Sequence, residues 1–148
     1  MKRKMQDVEY ENMKGAPIAN PGTSRTAYEA KGYPECVIKA VNNGIPMTNF
    51  IEWMIWAGIK NTKFREHFAK CYSISETGNY LAMEKLKPLL DTDKETLKAM
   101  DLPVWLKDRK PSNFGKAEDG TIKCLDYGLI DFDTLLNQDL FAGYDPFA

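Results

Sequence analysis

The chain has 148 residues, 43% hydrophobic and 28% charged, with 20 basic against 21 acidic residues and a net charge of −1. That is the size of one compact unit able to bury its own core, and the charge balance gives no basic excess to argue for nucleic acid. The basic opening MKRKMQD is followed by no apolar stretch, and the longest apolar run, WMIWAGI at 53–59, is too short to cross a bilayer. The expected location is therefore cytoplasmic, without membrane or nucleic-acid partners.

Residues 1–22 are polar and turn-rich, with Gly15, Pro17, Pro21 and Gly22 marking a loop. RTAYEA at 25–30 alternates as a strand does, KGYPE is a turn signal, and the β-branched CVIKAV at 36–41 reads as the next strand, so 23–41 predicts a hairpin. NNGIP breaks it. In TNFIEWMIWAGI, Asn49 followed by Glu52 resembles a capping box, Gly58 is a stop signal, and Phe50, Ile51, Met54 and Ile55 share one helical face. EHFAKCYSIS (66–75) and NYLAMEKL (79–86) predict two strands with ETG as the turn between them. DTDKETLKAM predicts a short helix with a Thr92/Glu95 capping box, ended by Pro103; TIKCLDYG (121–128) predicts a strand running into a glycine turn; and DTLLNQDLF (133–141) a last helix. The order is α+β, with antiparallel strands first.

Three cysteines, Cys36, Cys71 and Cys124, are odd in number and widely spaced, which predicts buried thiols rather than a disulfide or metal site. The single histidine, His67, excludes a multi-histidine zinc site and reads as a surface or half-buried side chain at a strand entry. Trp53, Trp56, Phe50 and Phe64 read as core aromatics.

The densest polar chemistry lies in WLKDRKPSNFGKAEDGTIKCLDYG, 105–128. Taken singly, Asp108 and Asn113 fit turn or cap residues and Asp126-Tyr127-Gly128 fits a turn after a strand. Taken together, Asp108, Lys110, Pro111 and Asn113 form D-x-K-P-x-N, with Asp and Asn five positions apart. This resembles the catalytic loop of protein kinases, Asp126-Tyr127-Gly128 resembles their D-F-G with Tyr for Phe, and Val37-Ile38-Lys39 resembles the V-A-I-K strand. YLAMEKL also looks like the strand that runs into a kinase hinge, and the resemblance to the protein-kinase-like superfamily covers about residues 15–132.

The resemblance implies an α+β fold: a kinase-like N-lobe over 1–86, with an antiparallel sheet and one helix, and a strongly reduced helical C-lobe over 87–148. It implies ATP and Mg2+ as cofactors. Asp126 and Asn113 would be the metal ligands, since hard Mg2+ takes oxygen donors. Asp108 would orient or deprotonate the acceptor hydroxyl, and Lys110 would neutralise charge on the transferring phosphoryl group. Lys39 would hold the α/β phosphates, positioned by an acid for which Glu52 is the candidate and Glu66 the alternative. The loop around Gly22, with Thr23 and Ser24, would cover the phosphates through backbone N–H groups, and the backbone near Met83 would meet the adenine.

The chain departs from the family pattern in three places. Leu106 and Lys107 stand where the family has His and Arg, only 22 positions separate Leu86 from Asp108, and only 20 residues follow Gly128 with no A-P-E motif. Short phage-encoded kinase-like proteins and small-molecule kinases of the superfamily abbreviate the same region. Two functions follow: an ATP/Mg2+-dependent phosphotransferase acting on Ser/Thr of a protein or on a small molecule, or a catalytically inactive, pseudokinase-like protein that docks on and regulates a partner. A homo-oligomer could complete the reduced lobe, and the aromatic DLFAGYDPFA at 139–148 is a candidate contact.

Overall fold

The computed structural model describes residues 1–18 and 24–136. Among them the chain is mixed α+β, with four α-helices, a six-stranded sheet and a three-stranded sheet. It divides into two compact units, one of Met1–Trp53 with Lys70–Lys85 and the other of Met54–Ala69 with the chain from Leu86 onward.

The first unit is built on the six-stranded sheet. Its strands are β1 (Lys4–Met5), β2 (Lys14–Pro17), β3 (Arg25–Ala30), β4 (Cys36–Val41), β5 (Cys71–Ser75) and β6 (Tyr80–Glu84), in the spatial order β1-β5-β6-β4-β3-β2. The hairpin β3–β4 has the boundaries expected from its alternation, with Ala27 opposite Lys39 and Arg25 opposite Val41. All pairings are antiparallel except that of β1 with β5, so the expected antiparallel sheet is in fact mixed.

Helix α1 (Asp7–Met13) and β2 occupy a stretch that reads as loop in the sequence. The helix is short and acidic and buries only Tyr10, so no apolar periodicity announces it. Its start is fixed by the Gln6 N–H donating to the Glu9 carboxylate at 2.8 Å. Gly15 is a close-approach residue rather than a turn residue: a Cβ there would stand 3.1 Å from the Glu29 carbonyl oxygen on the paired strand.

The two faces of this sheet bury different things. Met5, Tyr10, Ala30, Cys36, Ile38 and Ala82 form an apolar cluster, where Tyr10 stacks on Tyr80 at 5.5 Å and its hydroxyl bonds Ser73. Burial pushes the Tyr10 hydroxyl pKa well up. Pleating turns Val37, Lys39 and Val41 to the opposite face. There the first turns of α2 (Met47–Ile59) meet the sheet, through Asn49 and Glu52.

Helix α2 begins two residues before Asn49, its Phe50 N–H donating to the Pro46 carbonyl at 3.1 Å. Asn49 is therefore not a cap. It is fully buried, and its Nδ2 donates to the carbonyls of Lys39 (3.2 Å) and Gly78 (2.9 Å). Gly58 lies inside the helix. Of the expected helical face, Ile51 and Ile55 are buried while Phe50 is 42% exposed.

In the second unit, Lys63–His67 form a 3-10 turn where a strand was expected to start, and the half-buried His67 faces the Ile122 carbonyl through Nδ1 at 3.3 Å. Here β7 (Lys87–Pro88), β8 (Phe114–Lys116) and β9 (Ile122–Cys124) form the small antiparallel sheet. Helix α3 (Asp93–Lys98) follows Thr92, which makes no side-chain cap; the Asp93 carboxylate accepts the Leu90 N–H at 2.8 Å instead. Helix α4 is described over Phe132–Leu136, and the rest of the expected helix and the aromatic C-terminal stretch lie outside the described residues. Phe68 centres an aromatic cluster, packed edge-on against Tyr127 at 5.1 Å and tilted against Trp105 at 5.8 Å. The three thiols are free and buried, as expected. Among the described residues no helix is long and apolar enough to cross a membrane.

Candidate functional site

In the first unit the polar chemistry converges on Glu52. This carboxylate is fully buried, yet it is bonded by two cations. Lys39 Nζ donates to Oε1 at 3.0 Å, and Arg25 donates to Oε1 at 2.5 Å and Oε2 at 3.1 Å. Lys39 itself is only 6% exposed. Burial alone would push the Glu52 carboxyl up, but the charges of Lys39 and Arg25 and their hydrogen bonds outweigh it and hold its pKa at about 2. Glu52, not Glu66, is thus the acid that meets Lys39; Glu66 belongs to the 3-10 turn of the second unit and is exposed.

Arg25 was not a candidate in the sequence, where RTAYEA reads simply as an alternating strand. The hairpin register is the signal that finds it. Directly opposed residues share a face, so Arg25 and Ala27 lie on the face of Lys39 and Val41. Met83 is fully buried in β6, opposite Val37 on one side and Cys71 on the other. Next along the chain, the N–H groups of Glu84 and Lys85 donate to the carbonyls of Lys70 and Glu35, each at 2.8 Å. Ser24 is exposed and its carbonyl accepts the Asn42 N–H at 2.9 Å, while Gly22 lies outside the described residues.

In the second unit the stretch 105–128 folds back on itself. Asn113 is the hub. Its Nδ2 donates to the Asp108 carbonyl at 3.2 Å, closing the loop between them. Its own carbonyl accepts from the N–H groups of Leu125 (2.8 Å) and Asp126 (3.3 Å). The D-x-K-P-x-N segment and the D-Y-G segment are thereby held side by side, backbone to backbone.

Arg109 ties down the approach to this loop, donating through Nε to the Leu106 carbonyl and through a terminal nitrogen to the Pro103 carbonyl, both at 2.8 Å. Lys110 reaches Asp108 at 3.5 Å, with the lysine side chain 61% and the aspartate side chain 34% exposed. Tyr127 anchors the other segment: it is fully buried and its hydroxyl donates to the Ala69 carbonyl at 2.8 Å.

The donor set suits a hard cation. The Asp126 carboxylate and the Asn113 amide carry oxygen donors of the kind Mg2+ takes, and Asn113 Nδ2 is engaged by the Asp108 carbonyl. Among the described residues no group of three or more His, Cys, Asp or Glu side chains could hold a metal ion. A cation on Asn113 and Asp126 would thus complete its shell from water and ligand phosphates, the usual habit of Mg2+. No protein-family model matches the chain, and no curated protein matches it.

Proposed function

We propose that the chain is an ATP/Mg2+-dependent phosphotransferase of the protein-kinase-like superfamily, with a kinase-like N-lobe and a reduced C-lobe, acting on a Ser/Thr hydroxyl of a protein or on a small-molecule hydroxyl. The observation that carries this reading is the buried ion pair of Lys39 with Glu52, 3.0 Å long, joining a central strand to the helix that follows it. Burying such a pair is poor value for stability, because well-packed apolar side chains of the same volume do as well or better. A buried lysine oriented by a carboxylate in that position supports a reading in which it meets an anionic ligand.

The roles follow from the side chains. Lys39, oriented by Glu52, takes the α/β phosphates. Asn113 and Asp126 hold Mg2+, which when bound screens the charge of the phosphate oxygens. Asp108 accepts the proton of the acceptor hydroxyl as its oxygen bonds the γ-phosphorus and the bond to the ADP oxygen breaks. Lys110, on the same loop, offsets charge on the phosphoryl group in flight. The Asp126 N–H on the Asn113 carbonyl at 3.3 Å and the Asn113 amide on the Asp108 carbonyl at 3.2 Å support the pairing of base and metal ligands in one loop cluster. A cytoplasmic location fits the same reading, since ATP and reduced thiols are found there together.

A second reading is a non-catalytic protein that docks on a partner. It is favoured by Ile45, Met47 and Phe50 at the start of α2, which are 62%, 61% and 42% exposed. A thermal-shift titration with ATP, with and without Mg2+, separates the two. The phosphotransferase reading expects stabilisation that needs the metal and disappears in Asp126→Ala, and radiolabel transfer that disappears in Asp108→Ala. Stabilisation without transfer leaves the docking reading; neither one removes the nucleotide altogether.

A further inference from the structure

We propose that Asn49 is a positioning residue for the phosphate-anchoring lysine: its buried amide latches the head of α2 to three parts of the sheet, so that the Lys39–Glu52 pair stands assembled before nucleotide arrives. The inference rests on the phosphotransferase reading above and extends it to a residue that reading does not use.

Asn49 is fully buried and stands three positions before Glu52, so the two side chains share one face of the helix. A side-chain amide has two N–H donors and a carbonyl oxygen, and here both ends are engaged. Nδ2 donates to the Lys39 carbonyl on β4 at 3.2 Å and to the Gly78 carbonyl in the β5–β6 turn at 2.9 Å. Oδ1 accepts from Arg25 of β3 at 3.0 Å, and the same Arg25 nitrogen donates to Glu52 at 2.5 Å. The amide is thereby tied to both members of the pair, to Lys39 through its backbone and to Glu52 through the arginine. Phe50, the next residue, lays its ring so close to Gly78 that a Cβ there would collide with it, so helix and turn meet at a second point.

An apolar side chain at 49 could fill the same space but could not choose one register of helix on sheet. Hydrogen bonds to fixed backbone carbonyls do choose, because a shifted helix would leave the buried amide unsatisfied. Glu52 then orients the lysine and stays with it when nucleotide binds. Without the amide, the head of α2 opens from the sheet in part of the population, and nucleotide affinity falls in proportion to the fraction still docked.

The test joins calorimetric titration of the full chain with Mg·ATP at pH 7 to hydrogen exchange of the backbone amides at 50–53, compared with those of β4 and β6. Wild type should bind, and even without nucleotide its 50–53 amides should be as protected as the two strands. Protection of 50–53 that appears only with Mg·ATP overturns the preassembled pair. Asn49→Ala should bind about tenfold more weakly, the equivalent of one net buried hydrogen bond. Its 50–53 amides should exchange about tenfold faster than the strands, and saturating Mg·ATP should restore parity, because a helix whose docking aids the nucleotide is docked by it in turn. A merely structural role predicts instead a uniform rise in exchange that includes β4 and β6, with wild-type affinity in the folded molecules, and either result overturns the proposal. If Asn49→Ala fails to fold, Asn49→Ser carries the test: one short hydroxyl cannot serve both carbonyls, so the same pattern supports the proposal and wild-type behaviour overturns it. Lys39→Met should lose binding; if it does while the Asn49 variant behaves as wild type, the role of Asn49 falls and the phosphotransferase stands. No binding by wild type overturns both.

Discussion

Glu52→Gln and Lys39→Met should differ sharply in stability, although they remove opposite ends of one ion pair. Glu52 is fully buried and holds Lys39 at 3.0 Å and Arg25 at 2.5 and 3.1 Å. Replacing it by Gln removes the buried anion that Lys39 and Arg25 share. Breaking a buried pair in this way costs about 3–5 kcal/mol. Replacing Lys39 by Met, an unbranched side chain of similar length, leaves Glu52 still held by Arg25, so about 1 kcal/mol is expected. Urea unfolding followed by tryptophan fluorescence, with Trp53 and Trp105 both buried as reporters, measures the two. Equal losses for the two variants would refute the idea that Arg25 sustains Glu52.

Acid should act through the same carboxyl. Its pKa is about 2 in the fold against an ordinary 4.5, so its contribution is complete above pH 4.5 and is lost as the pH falls toward 2, a drop of roughly 3 kcal/mol. Glu52→Gln should lack that part of the acid limb in a series of melting curves, and an unchanged limb counts against it. Gly78→Ala should cost about 2 kcal/mol, because Gly78 has φ of 79° and a Cβ there would collide with the Phe50 ring; a neutral result in chemical denaturation contradicts the packing of the β5–β6 turn against α2. Tyr127→Phe should cost about 1 kcal/mol by leaving the Ala69 carbonyl without its 2.8 Å donor, and wild-type stability would mean that carbonyl finds another partner.

The parts of the fold that could be read from the sequence are those where one pattern dominates. CVIKAV is β-branched and apolar throughout and became β4 with the boundaries expected, and RTAYEA alternates and became β3. The parts that could not be read are short or carry breakers. Lys87–Pro88 and Phe114–Lys116 are strands of 2 and 3 residues containing a proline and a glycine, too brief for any period to show. Asn49 and Glu52 mimic a capping box so well that local reasoning assigns them to a helix end, whereas their work is with β4, the β5–β6 turn and Arg25. Local pattern cannot separate the two, because the same side chains serve either purpose and burial decides.

The candidate site follows the same rule. The spacing of Asp108 and Asn113 was visible, but that Asn113 would spend its amide on the Asp108 carbonyl and its carbonyl on Leu125 and Asp126 depends on a fold-back no spacing announces.

The margins of the six-stranded sheet carry a last consequence. On one side the outermost strand is β1, only 2 residues long; on the other it is β2, which has Gly15 within it and ends at Pro17, whose ring nitrogen has no hydrogen to offer. Neither rim is a good template for a further strand from another molecule, since one is too brief and the other lacks a donor where it ends. The sheet is in this way guarded against growing by adding copies edge to edge.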